Sequence, residues 1–257
     1  SKLMNETPKT PYLSVVIPSY NEKKNLNRGV LKEVLDFLKK QSFEWEVILT
    51  DDGSTDGTLE DLNSFAKQDS RIKVLPNKHA GKGPTVKAGM MAATGEWRLF
   101  TDFDQSTPLS EVEKLLKYTT DHGVIFGSRE IEGAKRDKEP FYRHLMGRGF
   151  NLLVQTLAVR GVKDTQCGFK LFSKESTETL FPALYVYGGD EVRKDAFTGA
   201  FDVELLFLAR KFKISHKEVP ILWKHHKTDR VSPIKDSLRM LRDIIKIRFA
   251  YLIGKYR

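Results

Sequence analysis

The chain has 257 residues, 40% of them hydrophobic and 30% charged, which fits one large α/β domain with room for a small appendage. No run approaches the roughly 18 apolar residues of a bilayer span, the first eleven residues are too polar for a signal peptide, and the single cysteine, Cys167, excludes an intrachain disulfide, so a reducing cytosol is the expected compartment. The net charge of +9 belongs to the tail: residues 210–257 hold 14 Lys and Arg against 4 Asp and Glu, whereas the rest holds 29 against 30.

In chain order, 13–17 is a β-rich run ended by Pro18 and reads as the first strand. Leu26, Val30, Val34 and Leu38, with Leu31 and Leu35, recur at helical spacing and predict a helix over 25–40. A strand over 46–50 follows. Asp56-Gly57-Thr58 then opens a helix carrying Leu59, Leu62 and Phe65, with Asp56 or Thr55 as its N-cap. Residues 71–75 read as a strand. Gly81-Lys82-Gly83-Pro84 is a loop into a helix bearing Val86, Met90 and Ala93, and 97–101 is the next strand. A helix is expected over 108–119 and a strand over 124–128. Strands alternating with helices predict a doubly wound, mainly parallel sheet. Beyond it, 130–139 reads as a charged mobile loop, 141–159 as an apolar-rich helix and 164–172 as a turn with a short strand. A polar loop over 185–199, a helix over 200–212, a strand over 214–223 and a long final helix over 233–254 complete the chain.

Two acidic turns follow predicted strands: Asp51-Asp52-Gly53-Ser54-Thr55-Asp56-Gly57 and Asp102-Phe103-Asp104. Ligands of open α/β sheets bind just past the carboxyl ends of the strands. Asp-x-Asp there suits a hard cation, Mg²⁺ or Mn²⁺, of the kind that carries a substrate's phosphates. Asp104 is the expected direct ligand, and Asp102 would contact the cation through water or touch a ribose. Tyr20-Asn21-Glu22, after Pro18, and Asp52 would form a base and ribose pocket: a ring to pack on and carboxylates to accept from N–H or hydroxyl groups. Ordinary turn chemistry explains the same residues, and it suffices for Gly53 and Gly57. Lys82 in its glycine loop either adds charge beside a phosphate or belongs to a plain loop; the loop lacks P-loop spacing. Arg129, Arg143, Arg148 and Lys170 are four cations in the second half, suited either to a phosphate acceptor or to surface solubility.

The combination Pro18-Ser19-Tyr20-Asn21-Glu22, DDGSTDGT and DFD resembles family 2 glycosyltransferases of the GT-A fold. Arg143 to Asn151, Asp164-Thr-Gln-Cys-Gly-Phe-Lys-Leu-Phe172 and Phe201-Asp202-Val203-Glu204 are similar to dolichyl-phosphate β-glucosyltransferases, within the wider polyprenyl-phosphate group. The resemblance runs from Ser14 to about Tyr251 and implies a GT-A catalytic domain over 12–224. Its nucleotide-sugar half would be 12–108 and its acceptor half 109–224. It implies inverting transfer of glucose from UDP-glucose to a polyprenyl phosphate, with Mg²⁺ or Mn²⁺ on Asp102 and Asp104. Arg129 and Arg143 would hold the lipid phosphate, with Arg148, Gln166 and Lys170 around the acceptor. Asp202 would be a general base or would orient an Arg or a sugar hydroxyl, and Glu204 a helix-face or ion-pair residue. Related mannose synthases often place Gln two residues after the Asp-x-Asp; here that position is Ser106, with Gln105 beside it. The alternatives are another donor, such as GDP-mannose, and a nucleotide-sugar binder without turnover.

In the last segment (225–257), Ile234, Leu238, Leu241, Ile245, Phe249 and Leu252 form an apolar stripe flanked by Lys235, Arg239, Arg242 and Lys246. That pattern fits a helix lying on an anionic membrane surface and equally one packed on the domain. No zinc spacing or RNA-binding signature accompanies the charge, so nucleic acid is not an expected partner. The expected location is therefore peripheral, on the cytoplasmic face of a membrane.

Overall fold

The computed structural model describes residues 9–137, 141–157, 159–188, 200–226 and 233–256; a few side chains within these ranges, that of Arg143 among them, lie outside the description. Near-continuous apolar runs make the first strands: β1 (Leu13–Ser19), β2 (Trp45–Asp51), β3 (Ile72–Pro76) and β4 (Trp97–Thr101). β1, β2 and β4 are buried along nearly their whole length, as parallel strands covered on both faces must be. Between them lie α1 (Lys23–Asn27), α2 (Val30–Lys39), α3 (Thr58–Ala66) and α4 (Lys82–Ala92). The helix expected over 25–40 is two helices. Gly29 between them has φ +79°, and a left-handed residue ends one helix before the next begins. α3 starts one residue later than a cap at Asp56 would place it, yet Asp56 Oδ1 still accepts from Thr58 N at 3.0 Å and Thr58 Oγ1 at 2.6 Å.

The helix expected over 108–119 shrinks to a 3-10 turn (Leu109–Glu111) and α5 (Val112–Leu116). β5 (Val124–Ser128) follows as predicted. Residues 130–137 are not simply a loop, because β6 (Lys135–Arg136) pairs in parallel with a strand near the end of the sheet region. α6 (Phe141–Leu157) leads to β7 (Phe169–Ser173) and to α7 (Lys174–Leu180), a helix absent from the sequence reading and capped by Ser173, whose hydroxyl accepts from Ser176 N. α8 (Phe201–Lys211), β8 (His216–Pro220), β9 (Leu222–Trp223) and α9 (Pro233–Leu252) complete the chain. The strand expected over 214–223 is thus split in two. Most of the loop expected over 185–199 lies outside the described residues.

The main sheet has the order β3-β2-β1-β4-β7-β5-β8, parallel except for β7, which runs antiparallel between β4 and β5. Two apolar layers cover it. One packs α2, with Leu31, Leu35 and Leu38, below the sheet; the other packs α4, α7, α8 and α9 around Phe100, Phe126, Phe172 and Phe201. The carboxyl ends of β1, β2 and β4 therefore open on the same edge, where both acidic turns begin.

α4 lies unusually close to the sheet through Gly89. A Cβ built there would meet Val16 Cγ1 at 2.5 Å and Thr50 Cγ2 at 2.9 Å, both on stiff β-branched side chains. Gly89→Ala should therefore destabilise the fold by about 1–3 kcal/mol, net of the ~1 kcal/mol that alanine gains as a helix former. Urea denaturation measures this, and an unchanged midpoint would show that the sheet yields at no cost.

Candidate active site

The loop after β2 is built around two buried carboxylates. Asp51 Oδ1 accepts from Ser19 Oγ at 2.8 Å and Ser54 Oγ at 2.6 Å, which closes the turn. Asp52 Oδ1 accepts from Ala80 N at 2.7 Å, and Gly81 N lies 3.1 Å from Oδ2. His79 Nδ1 is 2.9 Å from Asp52 Oδ2. A carboxylate only accepts, so Nδ1 carries the hydrogen, and buried Nε2 has no hydrogen bond among the described residues. The His79 ring stacks on Tyr20, with centroids 4.3 Å apart and planes at 13°. Gly53, at φ +71°, admits this packing, since a Cβ there would sit 2.9 Å from His79 N. Asp52 therefore fastens the glycine loop to the end of β2. His79, which no sequence pattern had marked, completes an aromatic pair with Tyr20. Asn21 adopts φ +51° and ties the two loops: its N donates to Ser54 Oγ at 2.9 Å and its Oδ1 accepts from Thr55 N at 2.8 Å. Glu22 N donates to Thr58 Oγ1, and Pro18 stands half-buried at the end of β1.

The glycine loop delivers Lys82 to the second acidic turn. Lys82 Nζ lies 2.6 Å from Asp102 Oδ1. Burial pulls the Lys82 ammonium down, but Asp102, Asp202 and Asp104 outweigh it and hold the group above the usual lysine range. Asp104 is likewise pushed above the usual carboxylate range, by burial and by the charge on Asp102. Its Oδ1 accepts from Ser106 N at 3.0 Å, and its carbonyl accepts from Arg28 Nη2 at 2.7 Å. Gln105, at φ +52°, turns its amide inward, donating to Asp102 O at 2.9 Å and to Thr101 Oγ1 at 3.2 Å. Left-handed non-glycine residues are strained, and two of them stand in these two loops.

β7 explains why the Asp-Thr-Gln-Cys-Gly-Phe-Lys stretch matters. Asp102 N donates to Gly168 O at 3.0 Å, and a Cβ on Gly168 would fall 1.9 Å from Asp102 Oδ2. Two residues on, Lys170 is wholly buried, with Nζ 2.5 Å from Cys167 O and 3.2 Å from Asp202 Oδ1. Asp202 opens α8. Burial raises it above the usual carboxylate range despite Lys170 and Lys82, and among the described residues no hydrogen bond reaches its Oδ1. Asp102, Asp104, Lys82, Asp202 and Lys170 are thus one cluster. Two oxygen-donor carboxylates whose mutual repulsion raises Asp104 suit a divalent cation. Glu204, expected on a helix face or in an ion pair, is instead fully buried. It accepts from Tyr185 N, Val186 N and Tyr187 N at 2.8–3.2 Å and from Tyr256 Oη at 2.7 Å.

The expected acceptor cations are more scattered. Arg129 forms a two-pronged pair with Asp164, Nε to Oδ2 at 2.8 Å and Nη2 to Oδ1 at 3.0 Å, and its guanidinium stands 5.4 Å from the Trp223 ring centroid. Gln166 is exposed on the same turn and donates through Nε2 to Met240 Sδ at 2.7 Å. Arg143 belongs to α6, with its side chain outside the description, and Arg148 is exposed further along that helix.

Residues 14–181 match the model of the family described as "Glycosyl transferase family 2". The dolichyl-phosphate beta-glucosyltransferase of Dictyostelium discoideum is 36% identical over 96% of this chain and 76% of its own length; the human enzyme of that name is 35% identical over 96% and 78%. Mannosyl-3-phosphoglycerate synthase from Rubrobacter xylanophilus superposes with a TM-score of 0.62 at 15% identity, covering 95% of this chain and 75% of that one. A mannosyltransferase from Pyrobaculum calidifontis, solved with GDP-Man and Mn²⁺, superposes at 0.52 and 17%, covering 96% and 75%. These likenesses agree with the GT-A fold expected from the sequence.

The Arg129–Asp164 pair generates a prediction with a defined pH window. Burial alone would raise Asp164, but Arg129 overrides it and holds the carboxyl at about 2. The folded value is depressed, so the pair's contribution is complete above the unfolded value of about 3.9 and is lost as the pH falls toward about 2. Asp164→Asn should cost about 3–5 kcal/mol at pH 7, because it strands a buried guanidinium. The gap to wild type in urea melts should close between those two values, and a gap independent of pH would refute the ion-pair account.

On its family model, its curated relatives and its fold, the chain belongs to the family 2 glycosyl transferases.

Proposed function

We propose that this chain transfers glucose from UDP-glucose to a dolichyl-type polyprenyl phosphate with inversion, giving a β-linked lipid-phosphate glucose and UDP. The observation that carries this reading is the joined cluster of Asp102, Asp104, Lys82 and Asp202 at the strand ends. The dolichyl-phosphate glucosyltransferase relatives supply the acceptor class and the sugar. In this reading residues 12–108 form the donor half and 109–224 the acceptor half. Tyr20 and His79 offer an aromatic face to the base, with Pro18, Asn21 and Glu22 shaping the pocket and Asp52 holding it in place.

A phosphate oxygen of the acceptor attacks the anomeric carbon, the bond from that carbon to the β-phosphate oxygen breaks, and UDP departs with the electron pair. A phosphate monoester is already anionic near neutral pH, its second pKa being about 6, so no base is needed to make it nucleophilic. Mg²⁺ or Mn²⁺ held by Asp102 and Asp104 would supply Lewis-acid neutralisation of the diphosphate leaving group. Lys82 adds a fixed positive charge beside that leaving group. Asp202, with acceptor capacity at Oδ1, orients a sugar hydroxyl, while buried Lys170 acts through Asp202 and not on the acceptor. Arg129 meets the acceptor phosphate with the edge that Asp164 leaves unused, joined by Arg143.

The acceptor is a membrane lipid, and the chain carries a surface suited to it. Among the described residues no helix is long and apolar enough to cross a membrane. α6 and α9 pack side by side. Met240, Ile244 and Ile247 of α9 face the domain, whereas the expected apolar stripe faces outward except at half-buried Leu241: Leu238 is 63% exposed, Phe249 62% and Leu252 76%. Leu145 and Leu152 continue it on α6, and Arg148, Arg242 and Lys246 flank it. A wide exposed apolar face with cationic edges suits an anionic bilayer interface, and this supports a peripheral location at a membrane surface.

Two measurements test this reading. With labelled UDP-glucose, Mg²⁺ or Mn²⁺ and dolichyl phosphate, label should enter the organic phase, and Asp104→Ala should reduce that transfer by at least about a thousand-fold. Near-normal transfer by the variant would sink the assignment of Asp104. Separately, Ile245→Glu with Phe249→Glu should abolish co-sedimentation with phosphatidylserine vesicles, because each charge would enter the apolar face. Undiminished co-sedimentation would assign membrane binding elsewhere, and equal binding to duplex DNA would make the tail a general polyanion site.

A further inference from the structure

Tyr187 is buried between three parts of the molecule that the reaction would use separately. Its hydroxyl donates to Asp243 Oδ2 on α9 and accepts from Ala200 N, 2.6 Å away, just before α8. Its main chain is fixed by Glu204, which takes the N–H of Tyr185, Val186 and Tyr187 together with the hydroxyl of Tyr256. Its Cβ and main chain lie against Gly83, in the first turn of α4. A Cβ built on Gly83 would stand 3.1 Å from Tyr187 Cβ, 3.4 Å from Tyr187 O and 3.3 Å from Phe201 Cβ. Lys87 Nζ of α4 reaches Gly188 O at 3.5 Å.

The two ends of this arrangement differ in character. At one end Asp243 sits on the buried side of α9, with Arg242 Nε 3.2 Å from its Oδ1 and the Arg242 side chain largely exposed among the cations of that helix. At the other, the residue beside Gly83 is Lys82, whose ammonium holds Asp102. A phenol ring has few torsions and is hydrogen-bonded at its tip, so it transmits displacement instead of absorbing it. A displacement of α9 at Asp243 would pass along the ring to Tyr187 Cβ and main chain, which lie against Gly83 in the first turn of α4, beside Lys82.

We propose that Tyr187 is a positioning residue for the donor site, a strut through which the seating of α9 sets the grip of the glycine loop on the donor's phosphates. The inference rests on the reading of Lys82 as a donor contact and of α9 as the membrane-facing helix. A bilayer that takes up the exposed face of α9 restrains the helix, and through Asp243 and Tyr187 it restrains the loop. A loop already ordered loses less freedom when the nucleotide binds.

The test uses the full chain, with UDP and Mn²⁺ titrated calorimetrically with and without phosphatidylserine-containing vesicles. Wild type should bind UDP several-fold more tightly on vesicles. Tyr187→Phe keeps Cβ and the main chain against Gly83 and removes only the hydroxyl; Asp243→Asn keeps the shape and removes the charge, and serves if the first variant folds poorly. Both should co-sediment with vesicles like wild type, bind UDP roughly ten-fold more weakly, and lose the vesicle dependence. Their effects should not add, because they break one contact. Lower melting temperatures with wild-type UDP affinity and vesicle response would make Tyr187 an ordinary core tyrosine and overturn the proposal. A wild type that binds no UDP at all would instead overturn the donor-site reading, and the strut would fall with it.

Discussion

The cluster at the strand ends obeys one electrostatic constraint: carboxylates withdrawn from water need positive charge beside them. Asp104 and Asp202 are gathered with Asp102 where burial raises Asp104 and Asp202 above the usual carboxylate range, and two lysines answer the three acids. The ammonium of Lys82 lies against Asp102 and is held above its usual range by the acids around it; that of Lys170 lies against Asp202 in the full interior. Three acids against two lysines leave the cluster short of one positive charge when all are ionised, and Asp104 is the member without a lysine in contact. A divalent cation would remove that deficit, and so would the protonation toward which Asp104 is pushed. The fold around the cluster can be understood as what is needed to bring these five side chains together from four separate stretches of chain.

Much of that scaffold was legible in the sequence, and the reasons it was so are local. β1, β2 and β4 are short apolar runs ending at Ser19, Asp51 and Thr101, and a parallel strand buried on both faces leaves that signature. The carboxylates after them were visible because strand ends in such sheets face ligands. What stayed hidden depended on distant partners. Nothing in Phe169–Ser173 announces that it runs antiparallel between β4 and β5, yet that placement brings Gly168 onto Asp102 and Lys170 onto Asp202. Lys170 read as an acceptor cation or a surface one, because lysine is seldom fully buried; only its two partners make burial tolerable. His79 had no pattern at all, since its function in the loop comes from Asp52 and Tyr20 across the sheet. Gly29 was a visible break in the helix expected over 25–40, but the apolar spacing across it continued and masked the stop.

α9 shows a different limit. Its helical spacing was plain, but which side meets the domain was not, because two neighbouring stripes are apolar. Ile234, Leu238, Ile245, Phe249 and Leu252 make one stripe; Met240, Ile244, Ile247 and Ala250 make the other. Periodicity gives the angular width of an apolar face and not its partner. The structure resolves this by burying the second stripe together with Asp243, a charge that would be costly there without Tyr187. The polar residue in the buried stripe, more than any apolar one, fixes how the helix is turned.

α8 carries the same logic to its end. Every residue from Phe201 to Ala209 is buried, so the helix has no solvent face on which to place a charge, yet it opens with two carboxylates. A helix N-terminus favours negative charge by a few tenths of a kcal/mol to about 1 kcal/mol, far less than burial costs, so each acid needs partners of its own. Glu204 has them in full: three main-chain N–H groups and the Tyr256 hydroxyl meet its two oxygens. Asp202 has charge compensation from Lys170 and Lys82 but, among the described residues, no hydrogen bond to Oδ1. Two acids two residues apart on one buried helix are therefore unequal. The saturated one is committed to holding the chain together. The other, with Lys170 Nζ 3.2 Å from its Oδ1, shares the charge cluster with Lys82 and Asp102, and a buried carboxylate oxygen without a full set of donors is the kind of group a substrate hydroxyl can complete.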